Sequence, residues 1–170
     1  IVDYFIITEV DETFSGVKKP LVFKKYLDRF KKFEKKIIYN PITKKELEKL
    51  KDKKWFNYVS KLDRSLAYKH SGKKPIQLNN SLKREIEHRD SAILGFHKLA
   101  KPNDLILLSD LDEIPNPKTI ETALNNKINQ PIYFKMEWFL YWINNRVSKP
   151  WYGTVLFKFK HLKGNSLDNF

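Results

Sequence analysis

A run of apolar residues, Leu105-Ile-Leu-Leu108, stops abruptly at Ser109-Asp110-Leu111-Asp112-Glu113. Four uncharged aliphatic residues in a row read as a strand buried on both faces. Asn116-Pro117 follows, a capping residue and then proline at the first helical position, so a helix should begin there. Asp110, Asp112 and Glu113 therefore sit in a strand-to-helix turn. In α/β sheets, ligands bind beyond the carboxyl ends of strands. Crowded carboxylates repel, and a divalent cation with hard oxygen ligands is the simplest relief. A solvated acidic turn with a helix cap is the plainer alternative. Asp-x-Asp alone does not decide between them.

The rest of the chain bounds what this turn can belong to. Its 170 residues, 41% hydrophobic and 14% aromatic, suffice for one domain with a real core. No stretch approaches the roughly 20 apolar residues of a membrane span. The chain opens on Ile1-Val2-Asp3, with no initiating Met and no basic leader. The expectation is a fragment incomplete at both ends, in a cytoplasmic setting. A Golgi lumen is the alternative if a missing N-terminal part carries an anchor. The absence of cysteine excludes disulfides, cysteine metal sites and a cysteine nucleophile. The net charge of +13 attracts polyanions. Lysine pairs such as Lys18-Lys19 and Lys35-Lys36 supply most of it, and arginine is scarce. Bidentate base readers favour arginine, so the charge reads mainly as a solvated face.

Taken in order, residues 2–8 form a first strand, ending at Glu9. Phe23, Tyr26, Leu27, Phe30 and Phe33 recur at helical spacing. Ile37-Ile38-Tyr39 is a second strand, stopped by Asn40-Pro41. Thr43-Lys44-Lys45-Glu46 has capping-box spacing and predicts a short helix to Leu50. Residues 51–80 are the least regular, and a long connection of this kind is often functional. A longer helix is predicted over 81–99. Another should follow the acidic turn, and alternating strands should cover 132–138 and 154–160. Elements interleave early and strands dominate late. That pattern is α/β, with a mixed or antiparallel sheet edge.

Several chemistries lack their residues. The five scattered glycines form neither a dinucleotide fingerprint nor a P-loop. The histidines, His70, His88, His97 and His161, have no metal-binding spacing, and no nucleophile elbow is present. What remains is the acidic turn with nearby cations and aromatics. A metal held there could bridge nucleotide-diphosphate oxygens. Arg84 and Arg89 lie on the preceding helix, as diphosphate contacts or as an exposed basic face. Tyr141, Trp142 and Trp151 flank Asn144-Asn145-Arg146. Their flat faces suit sugar rings, and packing is the alternative.

Val2-Asp3-Tyr4-Phe5-Ile6-Ile7-Thr8-Glu9, Thr13-Phe14-Ser15-Gly16, Lys19-Pro20-Leu21, His88-Arg89-Asp90, residues 105–117 and Trp151-Tyr152-Gly153-Thr154 together resemble glycosyltransferase family 17. Its type member is a β-1,4-mannosyl-glycoprotein 4-β-N-acetylglucosaminyltransferase. The resemblance runs in order over most of the chain and is weakest over 44–80. It implies a GT-A-like fold, a Rossmann-like mixed sheet flanked by helices. It also implies a nucleotide-sugar donor, UDP-N-acetylglucosamine in the type member, and inversion at the anomeric carbon. Asp110 and Asp112 would hold Mn²⁺ or Mg²⁺ against the diphosphate. Glu9, Arg89 and Asp90 would border the donor. An inverting transfer needs a general base; Glu137, on the strand after the metal turn, is the candidate, with Asp168 second. Glu113 would either support the metal pair or favour the next helix through its dipole.

Two rival readings stand beside this one. A metal-dependent nuclease or nucleic-acid binder would use the charge and the carboxylates, with a steep salt dependence. A non-catalytic glycan-binding remnant would keep the aromatics and lose turnover.

Overall fold

The computed structural model describes residues 2–50, 80–162 and 167. The described residues are mixed α/β, in two compact units. One comprises residues 1–100 with 164–169, the other residues 101–163 with 170. The irregular stretch 51–79 lies outside the described residues.

In the first unit, β1 (Phe5–Val10) pairs in parallel with β2 (Ile37–Ile42), from Phe5 opposite Ile37 to Val10 opposite Ile42. β1 starts and ends later than the sequence predicts. β2 runs through Asn40-Pro41, where the sequence reading stops it. Proline lacks an N–H and is tolerated where a strand has a free edge; β2 is paired on one side only among the described residues. The crossover is a 3-10 helix, Phe23–Lys36, with no buried residue. Residues three apart eclipse in such a helix, which stacks Leu27, Phe30 and Phe33 in one column. Phe23 packs its ring 5.3 Å from Phe30 and 5.2 Å from Tyr39.

The predicted capping box at Thr43 is formed in full. Glu46 Oε2 accepts from the Thr43 N–H and hydroxyl, both at 2.8 Å, while Thr43 Oγ1 accepts from the Glu46 N–H at 3.2 Å. It starts α1 (Lys44–Leu50). Leu47 of α1 joins Val10, Ile42 and Leu94 in this unit's core. α2 (Asn80–Ser91) covers the predicted long helix only in part; the chain then tightens to a 3-10 turn at Ala92–Gly95. Gly95 is needed there, because a β-carbon would strike the Ile6 side chain and sit 3.2 Å from that of Asn40. Asn40 ties the elements together, donating to Thr8 Oγ1 at 3.0 Å and to the Ser91 carbonyl at 3.3 Å.

The second unit is built on an antiparallel sheet of order β3-β5-β4. β3 spans Leu105–Leu108, β4 Ile132–Met136 and β5 Trp151–Lys158. β5 is the central strand, and Thr154, Val155, Leu156 and Phe157 are all buried. Its predicted alternation is therefore lost, since a strand covered on both faces need not alternate. β3 shows the converse correction. It has the predicted limits, but among the described residues it is paired on one side only, and Leu105 is 39% exposed. β4 keeps its alternation: Phe134 is buried, while Tyr133 and Lys135 are exposed. α3 (Pro117–Leu124) opens as predicted, with the Asn116 side chain accepting from the Lys118 N–H at 2.9 Å and proline in the first turn. It contributes Ala123 to a core with Ile128, Phe134 and Leu156. Among the described residues, no helix is long and apolar enough to cross a membrane.

Candidate active site

The acidic turn follows β3 directly. The Glu113 N–H donates to the Asp110 carbonyl at 3.1 Å and closes a tight turn. Asp110 and Asp112 are exposed on it, and Leu111 and Ile114 beside them are 102% and 85% exposed. Glu113 turns the other way. Its Oε1 accepts from the Trp151 indole N–H at 2.5 Å, and its Oε2 accepts from the Asp110 backbone N–H at 3.2 Å. Ser109 adds a second tie, donating to the Glu113 carbonyl at 2.7 Å with its oxygen 2.8 Å from Thr154 Oγ1. The Glu113 carboxylate lies directly over Gly153, where a β-carbon would collide with it. The third carboxylate is thus committed to β5, while Asp110 and Asp112, whose carboxylates are hard oxygen donors, are exposed. Among the described residues there is no group of three or more His, Cys, Asp or Glu suited to hold a metal. Two carboxylates suit an ion that takes its other ligands from water and phosphate.

Downstream, residues 138–147 fold into a hairpin. Phe139 bridges Arg146, and the Val147 N–H donates to the Trp138 carbonyl at 2.8 Å. At its tip the Trp142 N–H donates to the Leu140 carbonyl at 2.7 Å, across Tyr141 at φ 63°. That is a γ-turn with its central residue in the left-handed region, a strained conformation for a residue with a β-carbon. It presents Tyr141, Trp142 and Ile143 at 95%, 75% and 94% exposure. Trp151 differs from them. Besides the bond to Glu113, its ring sits 5.5 Å from that of Trp138. Glu137 lies one residue past β4, exposed, 3.1 Å from Arg146 Nη2 of the hairpin. Asp168 lies outside the described residues.

The first unit holds the other predicted residues. Glu9 is a helix cap: Oε1 accepts from the Val22 N–H at 2.6 Å, and Oε2 from the Phe23 N–H at 3.0 Å and the Tyr39 hydroxyl at 2.9 Å. Burial pushes the Glu9 carboxyl upward, but these bonds and Lys19 outweigh it and hold it below its ordinary value. Burial and the bond to Glu9 push the Tyr39 hydroxyl up to about 12. Arg89 pairs with Glu85 at 3.8 Å, and Asp90 is buried. Arg84 has its guanidinium against Gly16, which sits at φ 89°, and donates to the Phe14 carbonyl at 3.3 Å. The Thr13–Gly16 loop is thereby pinned to α2. Buried Glu12, which the sequence reading passed over, lies 2.7 Å from Lys44 Nζ and 3.7 Å from Arg84 Nε.

The family model of glycosyltransferase family 17 matches residues 1–62 and 43–164. This chain belongs to glycosyltransferase family 17. It is a glycosyltransferase, an enzyme that passes a sugar from a donor to an acceptor. Comparison with curated proteins and with solved structures gave no match. The family 17 matches take in the acidic turn, the Trp151–Thr154 segment that braces it, and the Glu9 and Thr13–Gly16 segments. Two of the braces had a trace in the sequence, since Trp151-Tyr152-Gly153-Thr154 carries part of the resemblance. Nothing in the sequence paired that segment with Glu113, 38 residues away in the chain.

Proposed function

We propose that this family 17 member is a metal-dependent, inverting transferase. It moves a sugar, N-acetylglucosamine in the leading reading, from a UDP-sugar to a hydroxyl of a glycan. The fold behind this reading is GT-A-like, with residues 1–170 acting as one catalytic domain. The observation that carries it is the braced turn, which exposes Asp110 and Asp112 at the end of β3 while Glu113 is drawn away to β5. Asp110 and Asp112 would hold Mn²⁺ or Mg²⁺. When bound, the ion supplies Lewis-acid neutralisation of the diphosphate leaving group. Glu137 would take the proton from the acceptor hydroxyl. The acceptor oxygen then forms the new bond to the anomeric carbon as the bond to the diphosphate breaks, which inverts the centre and releases UDP. Arg146 orients the Glu137 carboxylate. Tyr141, Trp142 and Trp151 would offer apolar faces to the acceptor sugar, Trp151 with its indole N–H held by Glu113. The donor-side roles of Glu9, Arg89 and Asp90 rest on the family resemblance alone. Glu9 and Arg89 are engaged within their own unit, and Asp90 is buried.

The test is a donor screen scored by nucleotide release, with Mn²⁺ or with a chelator, over UDP-, GDP- and CMP-sugars and a panel of N-glycan acceptors. Release of UDP from UDP-N-acetylglucosamine that needs both metal and acceptor is expected. Release from another nucleotide class, or release indifferent to chelation, contradicts the reading.

A further inference from the structure

We infer that Glu113 is a positioning residue, whose carboxylate clamps the Asp110–Asp112 turn to β5 and so sets where the two metal-holding aspartates point. The inference rests on the functional reading above and assigns the third carboxylate of the turn. Glu113 spends both oxygens on N–H donors, the indole of Trp151 at 2.5 Å and the backbone of Asp110 at 3.2 Å. An N–H can only donate, so both partners need an acceptor. A glutamine in this place offers one acceptor oxygen and one NH₂ group. Whichever way it flips, an N–H meets an N–H. Gly153 leaves the space in which the carboxylate lies, and any β-carbon there would expel it. Buried Thr154 closes the arrangement, with its hydroxyl 2.8 Å from Ser109 Oγ and 3.5 Å from Glu113 Oε2. The two ends of the turn, Ser109 and Glu113, are therefore both fixed to the central strand. Asp110 lies between them with its own amide held. Groups that orient metal ligands in this way are typically worth about 10- to 100-fold in metal affinity.

The experiment compares wild type, Glu113→Gln, Trp151→Phe and Glu121→Gln, an exposed glutamate of α3, as control. The first readout needs no ligand: NMR hydrogen exchange of the Asp110 amide and the Trp151 indole N–H. The second is the affinity for Mn²⁺ with UDP. We expect Glu113→Gln to speed exchange of both protons by at least about tenfold and to weaken Mn²⁺–UDP binding about 10- to 100-fold, with far-UV circular dichroism unchanged. Trp151→Phe leaves an aromatic ring beside Trp138 and removes the donor together with part of the indole. It should weaken Mn²⁺–UDP binding in the same direction, and it carries the test if Glu113→Gln fails to fold. Wild-type affinity and wild-type Asp110 exchange in the substituted proteins overturn the inference. Wild-type protein that binds no Mn²⁺–UDP sinks the functional reading and the positioning role with it. Exchange changes confined to Glu113→Gln and Trp151→Phe would then leave Glu113 a purely structural tie.

Discussion

Glu9, Glu113 and Glu137 are three glutamates at or just past strand ends, and their surroundings give them different work. Glu9 closes the start of a helix with two backbone N–H bonds and a tyrosine hydroxyl. Bonds to a charged acceptor are worth about 1.5–3 kcal/mol each before coupling. Glu9→Gln should therefore cost about 2 kcal/mol at pH 7, read from urea midpoints. The Glu9 carboxyl is held below its ordinary value of 4.5. Its contribution is present above that pH and is lost as pH falls through the lower, folded value. The gap between wild type and Glu9→Gln should close on acidification below 4.5. His88 behaves in the same direction in a different window. Burial holds it below 6.5, so its contribution is lost as pH falls from 6.5 toward the folded value. His88→Leu should flatten that part of the stability curve. Tyr39 runs the opposite way: its hydroxyl is raised from 10.0 to about 12. The stability tied to its neutral form is full below pH 10.0 and is lost between there and about 12.

At the scale of elements, local chemistry explains the starts of helices better than it explains strands. The Thr43–Glu46 box and the Asn116-Pro117 start are where residue types alone place them, because their partners lie within three residues. Thr43→Ala should cost about 1 kcal/mol, seen as a lower thermal midpoint. Strand surroundings depend on distant partners. The apolar run 105–108 reads as a doubly buried strand, yet Leu105 is exposed and the other three are only half-buried, while doubly buried β5 reads as alternating. Nothing near Leu105 in the sequence announces that its partner strand among the described residues begins at Trp151. The same distance hid the Glu113 clamp, whereas the exposed turn that carries Asp110 and Asp112 was legible, because they lie two residues apart and just past the end of β3. The hairpin tip is a second case. Its aromatics were visible in sequence, but the left-handed Tyr141 was not. Tyr141→Gly should relieve about 1–2 kcal/mol of backbone strain against about 0.5–1 kcal/mol of lost chain entropy. The protein should stay as stable or become slightly more so, while KM for the acceptor rises. Unchanged KM would remove the tip from the acceptor site.

For the whole molecule, the central proposal is that Asp110 and Asp112 anchor a metal–diphosphate; what supports it is family membership and the braced turn that leaves both aspartates exposed. The charge of +13 favours any polyanion, so bare nucleotide affinity is a weak indicator. Metal dependence is a sharper one. The deciding measurement is a calorimetric titration of UDP with and without Mn²⁺, on wild type and on Asp110→Ala and Asp112→Ala. The account predicts that Mn²⁺ tightens UDP binding in the wild type and has no such effect in either variant. UDP binding that ignores both the metal and the two substitutions would contradict it.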